Sequence, residues 1–348
     1  MKKDLRSMTL DELQQEMLEI GEAKFRAKQI YKWLHVKYAN TFDEMTDLSV
    51  ALREKLSNNY DICYVKPVKK LVSKIDGTTK YLFELENNYI IESVFMHYSY
   101  GNTVCISTQA GCRMGCTFCA STIDGVEKSL TPAEMLSQIY EIEKDKGETV
   151  NGVVLMGSGE PLDNYDNVMK FIKIVNSKEG KNMGQRHITL STCGLINKMY
   201  DLAEENLQIT LAVSFHAPND EIRNRIMPVS KGNPMDKLLE ACRYYADKTK
   251  RRITFEYSLI KGVNDSVEDA KELAGKLKGI LCHVNLIPIN DVKEKDYVRS
   301  TNDSIQSFEN VLLSRGIETT VRRSLGADID AACGQLRKRY KDEMMQGQ

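Results

Sequence analysis

Residues 1–62 carry apolar positions that recur with helical spacing. Leu10, Leu13, Met17, Leu18 and Ile20 follow Thr9-Leu-Asp-Glu12, a capping box in which the threonine hydroxyl accepts from a free amide and Glu12 reaches back. A second helix is expected over 23–38, with Phe25, Ile30, Trp33 and Leu34 inward, and a third over 48–56. With one tryptophan, this stretch makes a small core and reads as an accessory domain. Across 63–98 the pattern changes to alternation. Segments at 70–74, 80–85 and 89–96 are broken by Asp76-Gly77 and Asn87-Asn88, pairs that tolerate positive φ and suit hairpins, so a short antiparallel meander is expected.

From 99 to 340, short apolar runs alternate with helical stretches. Strands are expected at 103–107, 152–156, 188–191, 209–215, 253–260, 283–288 and 318–322, and helices at 132–146, 167–176, 234–248, 267–277 and 304–315. Thr131-Pro-Ala-Glu134 puts proline at the first helical position inside another capping box. Repeated β-α units imply an α/β fold with a parallel sheet under helices, either an open layer or a partial barrel. Both architectures place the active site at the carboxyl ends of the strands. Residues 341–348 read as a tail.

Composition narrows the class. The 348 residues hold 48 Lys plus Arg and 49 Asp plus Glu, a net charge of −1, which argues against non-specific coating of nucleic acid but leaves room for local basic surface. No run reaches the roughly 20 apolar residues of a membrane span, and no apolar segment follows the basic start MKKDLRSMTLDELQQEM. The expectation is a cytoplasmic protein without membrane association. Nine cysteines in a reducing compartment do not make a disulfide framework. Of these, Cys63, Cys193, Cys242 and Cys282 read as small buried hydrophobes.

The sharpest chemistry lies in Cys112-Arg-Met-Gly-Cys116-Thr-Phe-Cys119, a C-x3-C-x2-C spacing just after a strand. Three thiolates on one tight loop can hold three irons of a cubane iron–sulfur cluster and leave the fourth without a protein ligand. An open coordination position is what a catalytic metal needs. A structural zinc would want a fourth ligand, and no second pair stands nearby. Met156-Gly157-Ser158-Gly159-Glu160-Pro161 follows another strand; glycines there let backbone approach a ligand, and a carboxylate can accept from an ammonium group.

The cysteine spacing after the first strand resembles the radical S-adenosylmethionine superfamily, and Gly157-Ser158-Gly159-Glu160-Pro161 resembles its GGEP motif. The resemblance implies a partial (β/α)6 barrel, a [4Fe-4S] cluster on Cys112, Cys116 and Cys119, and S-adenosylmethionine bound through its amino and carboxylate groups to the unique iron. Reductive cleavage of that molecule would give a 5′-deoxyadenosyl radical. Further segments narrow the match: Cys105, seven residues before the cluster; Ser214-Phe-His216-Ala-Pro-Asn-Asp220; Met227-Pro228; Gly262-Val-Asn-Asp265; and Gly326-Ala-Asp-Ile-Asp-Ala-Ala-Cys333-Gly-Gln-Leu. Together they are similar to the adenine-methylating radical enzymes of 23S rRNA and tRNA, over residues 5–337. A relative that methylates C8 shares both outlying cysteines; Pro161 favours the C2 enzymes.

Within that resemblance, Cys333 takes a methyl group by displacement, and the deoxyadenosyl radical removes a hydrogen atom from it. The resulting carbon radical adds to adenine C2. Cys105 removes the C2 proton and closes a transient disulfide with Cys333. Glu92 resembles the family's proton-transfer carboxylate, although by pattern alone it is a surface strand residue. Gly159, Glu160, Ser191, Ser214, Phe215, His216 and Asn290 correspond to the contacts with S-adenosylmethionine. Partners implied are 23S rRNA, tRNA and an electron donor such as flavodoxin or ferredoxin, with the chain a monomer. Basic groups at Lys66, Lys69 and Lys70, at 248–252, and at 315–341, where seven Lys or Arg face three acids, offer phosphate contacts, Arg322, Arg323 and Arg337 foremost. The helical region 1–62 would help grip folded RNA by shape.

Overall fold

The computed structural model describes residues 2–289, 297–323 and 325–329. Asn290, Cys333 and Arg337 therefore lie outside the described residues, together with the roles the resemblance gives them.

The N-terminal region contains β1 (Lys3–Asp4), α1 (Leu10–Glu19), α2 (Phe25–His35), α3 (Val50–Asn59) and β2 (Tyr60–Asp61). The Thr9–Glu12 capping box forms in both directions. Ile30 and Leu34 of α2 are buried, but Phe25 is not: it is exposed, with the Arg26 guanidinium stacked over its ring. A position in the first turn of α2 looks past the core, which helical spacing alone does not reveal.

The meander is β3 (Lys66–Val72), β4 (Thr79–Glu84) and β5 (Ile90–Tyr98), turning where Asn87 and Asn88 both take φ 61°. It is not a linker. β5 pairs antiparallel with β6 (Gly101–Cys105), so the meander forms one side of a ten-stranded mixed sheet. After β6 come β7 (Gln109–Gly111), β8 (Val126–Ser129), α4 (Pro132–Lys146), β9 (Val150–Leu155), α5 (Tyr165–Val175), β10 (Ile188–Thr192), α6 (Ile196–Glu204) and β11 (Thr210–Ser214). Then follow α7 (Asp220–Ile226), α8 (Met235–Thr249), β12 (Ile253–Leu259), α9 (Val267–Leu277), β13 (Cys282–Pro288), α10 (Asn302–Ser314) and β14 (Glu318–Val321).

The sheet order is β14-β13-β12-β11-β10-β9-β6-β5-β4-β3, with all pairs from β6 to β14 parallel. Among the described residues β14 and β3 are edges that do not meet, so the sheet does not close into a barrel. Parallel register puts the carboxyl ends of β6, β9, β10, β11, β12 and β13 on one rim, where the loops carrying chemistry emerge. The helical region is not a separate core: Leu13, Met17, Ile30 and Leu34 share one apolar cluster with Leu136 and Ile139 of α4 and Leu190, Leu211 and Phe255 of the sheet. Among the described residues, no helix is long and apolar enough to cross a membrane.

Candidate active site

The cysteine loop hangs between two short strands. β7 and β8 pair antiparallel, and the loop between them carries Cys112, Cys116 and Cys119. The Cys112 amide donates to Gly125 O at 2.8 Å, and the Thr122 hydroxyl donates to Cys116 O and Cys119 O at 3.0 and 2.9 Å, fixing the loop from inside. Gly111 enters it at φ 80°, where an added Cβ would lie 1.9 Å from Gly125 O. The Thr117 amide donates to Ile226 O, tying the loop to the end of α7.

Beside the loop, β9 ends in the glycine-rich turn. Buried Ser158 accepts from the Gly111 amide on its hydroxyl and from the Thr108 and Gln109 amides on its carbonyl, which locks turn and cysteine loop together. Gly159 stands at φ 104°, its missing Cβ only 2.6 Å from Gln109 Cβ. The Glu160 carboxylate is buried; it accepts from the Leu162 amide at 3.0 Å and the Cys193 amide at 2.7 Å, and burial raises its pKa. Arg223, also buried, donates to Phe215 O and Cys193 O and so joins the ends of β10 and β11.

His216 occupies the left-handed region at φ 57°, unusual for its type. Asn264 explains how: its amide donates to His216 O and Ser258 O, both at 2.7 Å, while Ser258 N donates to His216 Nδ1 at 2.9 Å. Burial pushes the imidazole down to about 3, with Arg223 adding to the effect. The ring is neutral; with Nδ1 accepting, its proton sits on Nε2.

All these features line one cavity of about 350 Å³, whose wall includes Cys105, Cys112, Cys116, Cys119, Gly159, Glu160, Ser191, Ser214 and His216. Cys105 is half-buried there, at the end of β6, not sealed in the core. Glu92 also lines the wall, and it is buried, not on the surface: Lys80 on the adjacent strand, fully buried itself, pairs with it at 2.9 Å. Phe215 is absent from the wall. Its side chain packs on Phe255 in the core, because alternation along the chain sends it opposite to Ser214 and His216. Cys242 and Cys193 are buried as expected, Cys193 in the cavity wall, whereas Cys63 and Cys282 are half-buried. Pattern reading also passes over Glu256, Arg223 and Asn264. Of these, only Asn264 carries a signal, in the Gly262-Val-Asn-Asp265 segment.

The donor set tests which group these residues could hold. Among the described residues no three His, Cys, Asp or Glu side chains converge closely enough to hold a single ion. Three thiols lining one cavity suit a polynuclear cluster, each thiolate meeting a different iron. Burial pushes Cys112 up to about 12 and raises Cys116 as well, so neither ionises readily on its own. Metal ligation would supply the charge that deprotonates them. The residues present fit a [4Fe-4S] cluster.

Comparison with known proteins agrees with this geometry. Residues 106–274 match the Radical SAM superfamily, and residues 3–62 match the ribosomal RNA large subunit methyltransferase N-terminal domain. A relative from Clostridium novyi is 54% identical over 338 residues, covering 97% of this chain and 98% of its own. Another from Alkaliphilus oremlandii is 56% identical over 339 residues, again with 97% and 98% covered. Both carry the description "Probable dual-specificity RNA methyltransferase RlmN". Among solved structures, a radical SAM methyltransferase from Sphaerobacter thermophilus superposes with a TM-score of 0.91 at 42% identity, covering 96% of this chain and 98% of that one.

Proposed function

The chain belongs to the RlmN family of radical SAM RNA methyltransferases, and from that membership we propose that it methylates C2 of adenine in 23S rRNA and in tRNA. The superfamily's cofactors are a [4Fe-4S] cluster and S-adenosylmethionine, which when bound supply hydrogen-atom abstraction that no side chain can perform. Adenine C2 is an electron-poor carbon that does not attack a sulfonium methyl, so a thiol must carry the methyl first.

The chain's own residues divide the work. Cys112, Cys116 and Cys119 would hold the cluster. Glu160 and Ser191, with Ser214 and His216 along the same wall, would hold S-adenosylmethionine, the His216 Nε2–H serving as a donor. Gly159 keeps the turn low, and Phe215 and Asn290 belong to the same proposed contact set. The Cys333 thiolate would displace the sulfonium methyl, leaving a methyl thioether and S-adenosylhomocysteine. After that methyl carbon is joined to C2, Cys105 would take the C2 proton, with Glu92 as the second proton-transfer group. Cys105 sulfur would then bond to Cys333 sulfur as the Cys333–carbon bond breaks. The freed carbon would take up a proton to become the methyl group, the one surplus electron of the adduct would return to the cluster, and the electron donor would later reduce the disulfide. An electron donor such as flavodoxin or ferredoxin, a monomeric chain and a cytoplasmic setting complete the proposal. Region 1–62 and the basic residues at the cavity rim, Arg322 and Arg323, would grip the RNA.

The observation that carries this reading is Cys105: a thiol without a place in cluster binding lines the same cavity as the three loop cysteines and Glu160. The test is anaerobic turnover of reconstituted protein with reductant, S-adenosylmethionine, and a 23S rRNA fragment or tRNA, followed by mass spectrometry of the nucleosides. 2-Methyladenosine is expected from both RNAs. 8-Methyladenosine would move the reaction to the other carbon, and cleaved cofactor without methylated adenine would overturn the reading.

A further inference from the structure

One carboxyl group in the cavity has no part in the reaction above. Glu256 lies on β12, opposite Ser214 of β11 and Asn285 of β13 in register, with 4% of its surface exposed. Asn285 Nδ2 donates to Glu256 Oε2 at 2.8 Å, and the Thr320 hydroxyl donates to Asn285 Oδ1 at 3.4 Å. Oε1 accepts no hydrogen bond, and no salt bridge reaches the carboxyl, among the described residues. The second oxygen of this carboxyl, in the cavity wall, is therefore open to a ligand.

Its neighbours show which part of the cavity it faces. Glu160 acts electrostatically on Cys112, Cys116 and Cys193, the cofactor side. Glu256 instead lies in the field of Arg322. Arg322 also acts on Tyr98, and Tyr98 in turn feels Cys105. Glu256, Arg322, Tyr98 and Cys105 all line the cavity, which thus brings together a carboxyl, a cation, an aromatic ring and the thiol that would meet the base. Burial raises the Glu256 pKa, which favours the form carrying an O–H donor beside a C=O acceptor.

We propose that Glu256, steadied by Asn285, reads the Watson–Crick edge of the target adenine through N6 and N1 and thereby presents C2 to Cys105. This rests on the adenine-methylation reading and deepens it. Adenine offers an N6–H donor next to the N1 acceptor, and a neutral carboxyl matches both at once. C2 is bonded to N1, so a base gripped there brings C2 beside the contact and leaves C8 at the far end of the ring system. A grip on N6 and N7 would do the reverse.

The test compares kcat/KM on RNA carrying adenine or purine, which lacks only the N6 amine, at the target position. Wild type is expected to favour adenine by about tenfold or more, as two-point recognition of a base does. In Glu256→Ala, adenine should fall to the level of purine, bringing the ratio near 1. Glu256→Gln, whose amide keeps one donor and one acceptor, should fold and retain the preference. Binding of S-adenosylmethionine and the cluster absorbance should not change in either variant. RNA with 7-deazaadenine should be methylated like adenine. A wild-type ratio in Glu256→Ala, loss of the ratio in Glu256→Gln, weakened cofactor binding in either variant, or loss of activity on 7-deazaadenine would each overturn the proposal. No methylated product from wild type on adenine RNA would instead bring down the methyltransferase reading, and this one with it.

Discussion

At the scale of single residues, the glycine-rich turn is the most constrained feature. Gly159 adopts φ 104°, and its Cβ would sit 2.6 and 2.7 Å from Gln109 Cβ and N, so Gly159→Ala strains the backbone and collides with it. That change should destabilise the fold by about 1–3 kcal/mol, lowering the thermal midpoint, and weaken S-adenosylmethionine in equilibrium dialysis. Unchanged affinity would show that the turn does not shape the cofactor wall. The cluster cysteines are legible in the sequence because three thiols within eight residues of a reduced protein suit little besides metal ligation. Cys105 is legible only through resemblance, since a cysteine ending an apolar strand looks like core until the cavity beside it is seen. Glu92 misleads for a related reason: its salt-bridge partner Lys80 comes from the neighbouring strand, and strand pairing is not written in local pattern. That the Phe215 side chain packs away from the cavity is legible in the sequence, because alternation sends it opposite to Ser214 and His216.

Among the elements, helices with strong caps are the most legible. Both capping boxes form, and helix 132–146 has the limits expected of it. The β7–β8 pair escapes pattern reading, for its strands have three and four residues and no tight turn joins them. Its consequence is a prediction. In Gly111→Ala the new Cβ would meet Gly125 O at 1.9 Å, forcing apart the strands that hold the cysteine loop. Iron and sulfide per chain should fall by more than half while far-UV circular dichroism stays unchanged. Gly125→Ala is the internal comparison: it meets nothing within 4 Å and bears only the strain of φ 69°, so it should load its cluster nearly as wild type does. Equal iron in the two variants would mean that the hairpin does not position the thiols.

The whole molecule is held together by contacts that no periodicity announces. Arg6, fully buried, donates to Cys63 O, Ala39 O, Asn40 Oδ1 and the Ser137 hydroxyl, joining the N-terminal segment, the helical region and α4 across as many as 131 positions. Beside it His35 is buried with Nδ1 3.0 Å from Tyr140 Oη, and Nε2 has no partner among the described residues. This joint makes the accessory region continuous with the core, which its small apolar content alone does not suggest.

The joint also has a pH signature. Burial, reinforced by Arg6, holds the His35 pKa well below 6.5, so the folded protein keeps the ring neutral while the unfolded chain protonates it. Below pH 6.5 the unfolded state therefore binds the extra proton. Stability from this residue is complete above that pH and declines as pH falls, by about 1.4 kcal/mol per pH unit once the unfolded histidine is charged. His216, also buried and neutral, contributes in the same direction, whereas Glu160 and Glu256, with raised values, act in the opposite sense. The difference between wild type and His35→Gln cancels those shared terms. Urea unfolding of cluster-free protein from pH 7 to pH 5 should show the wild type losing stability more steeply than His35→Gln, by close to one proton in slope. Parallel curves would mean that the imidazole is protonated or solvated in the folded state. The accessory region would then be clasped to the core by Arg6 without a neutral ring beside it.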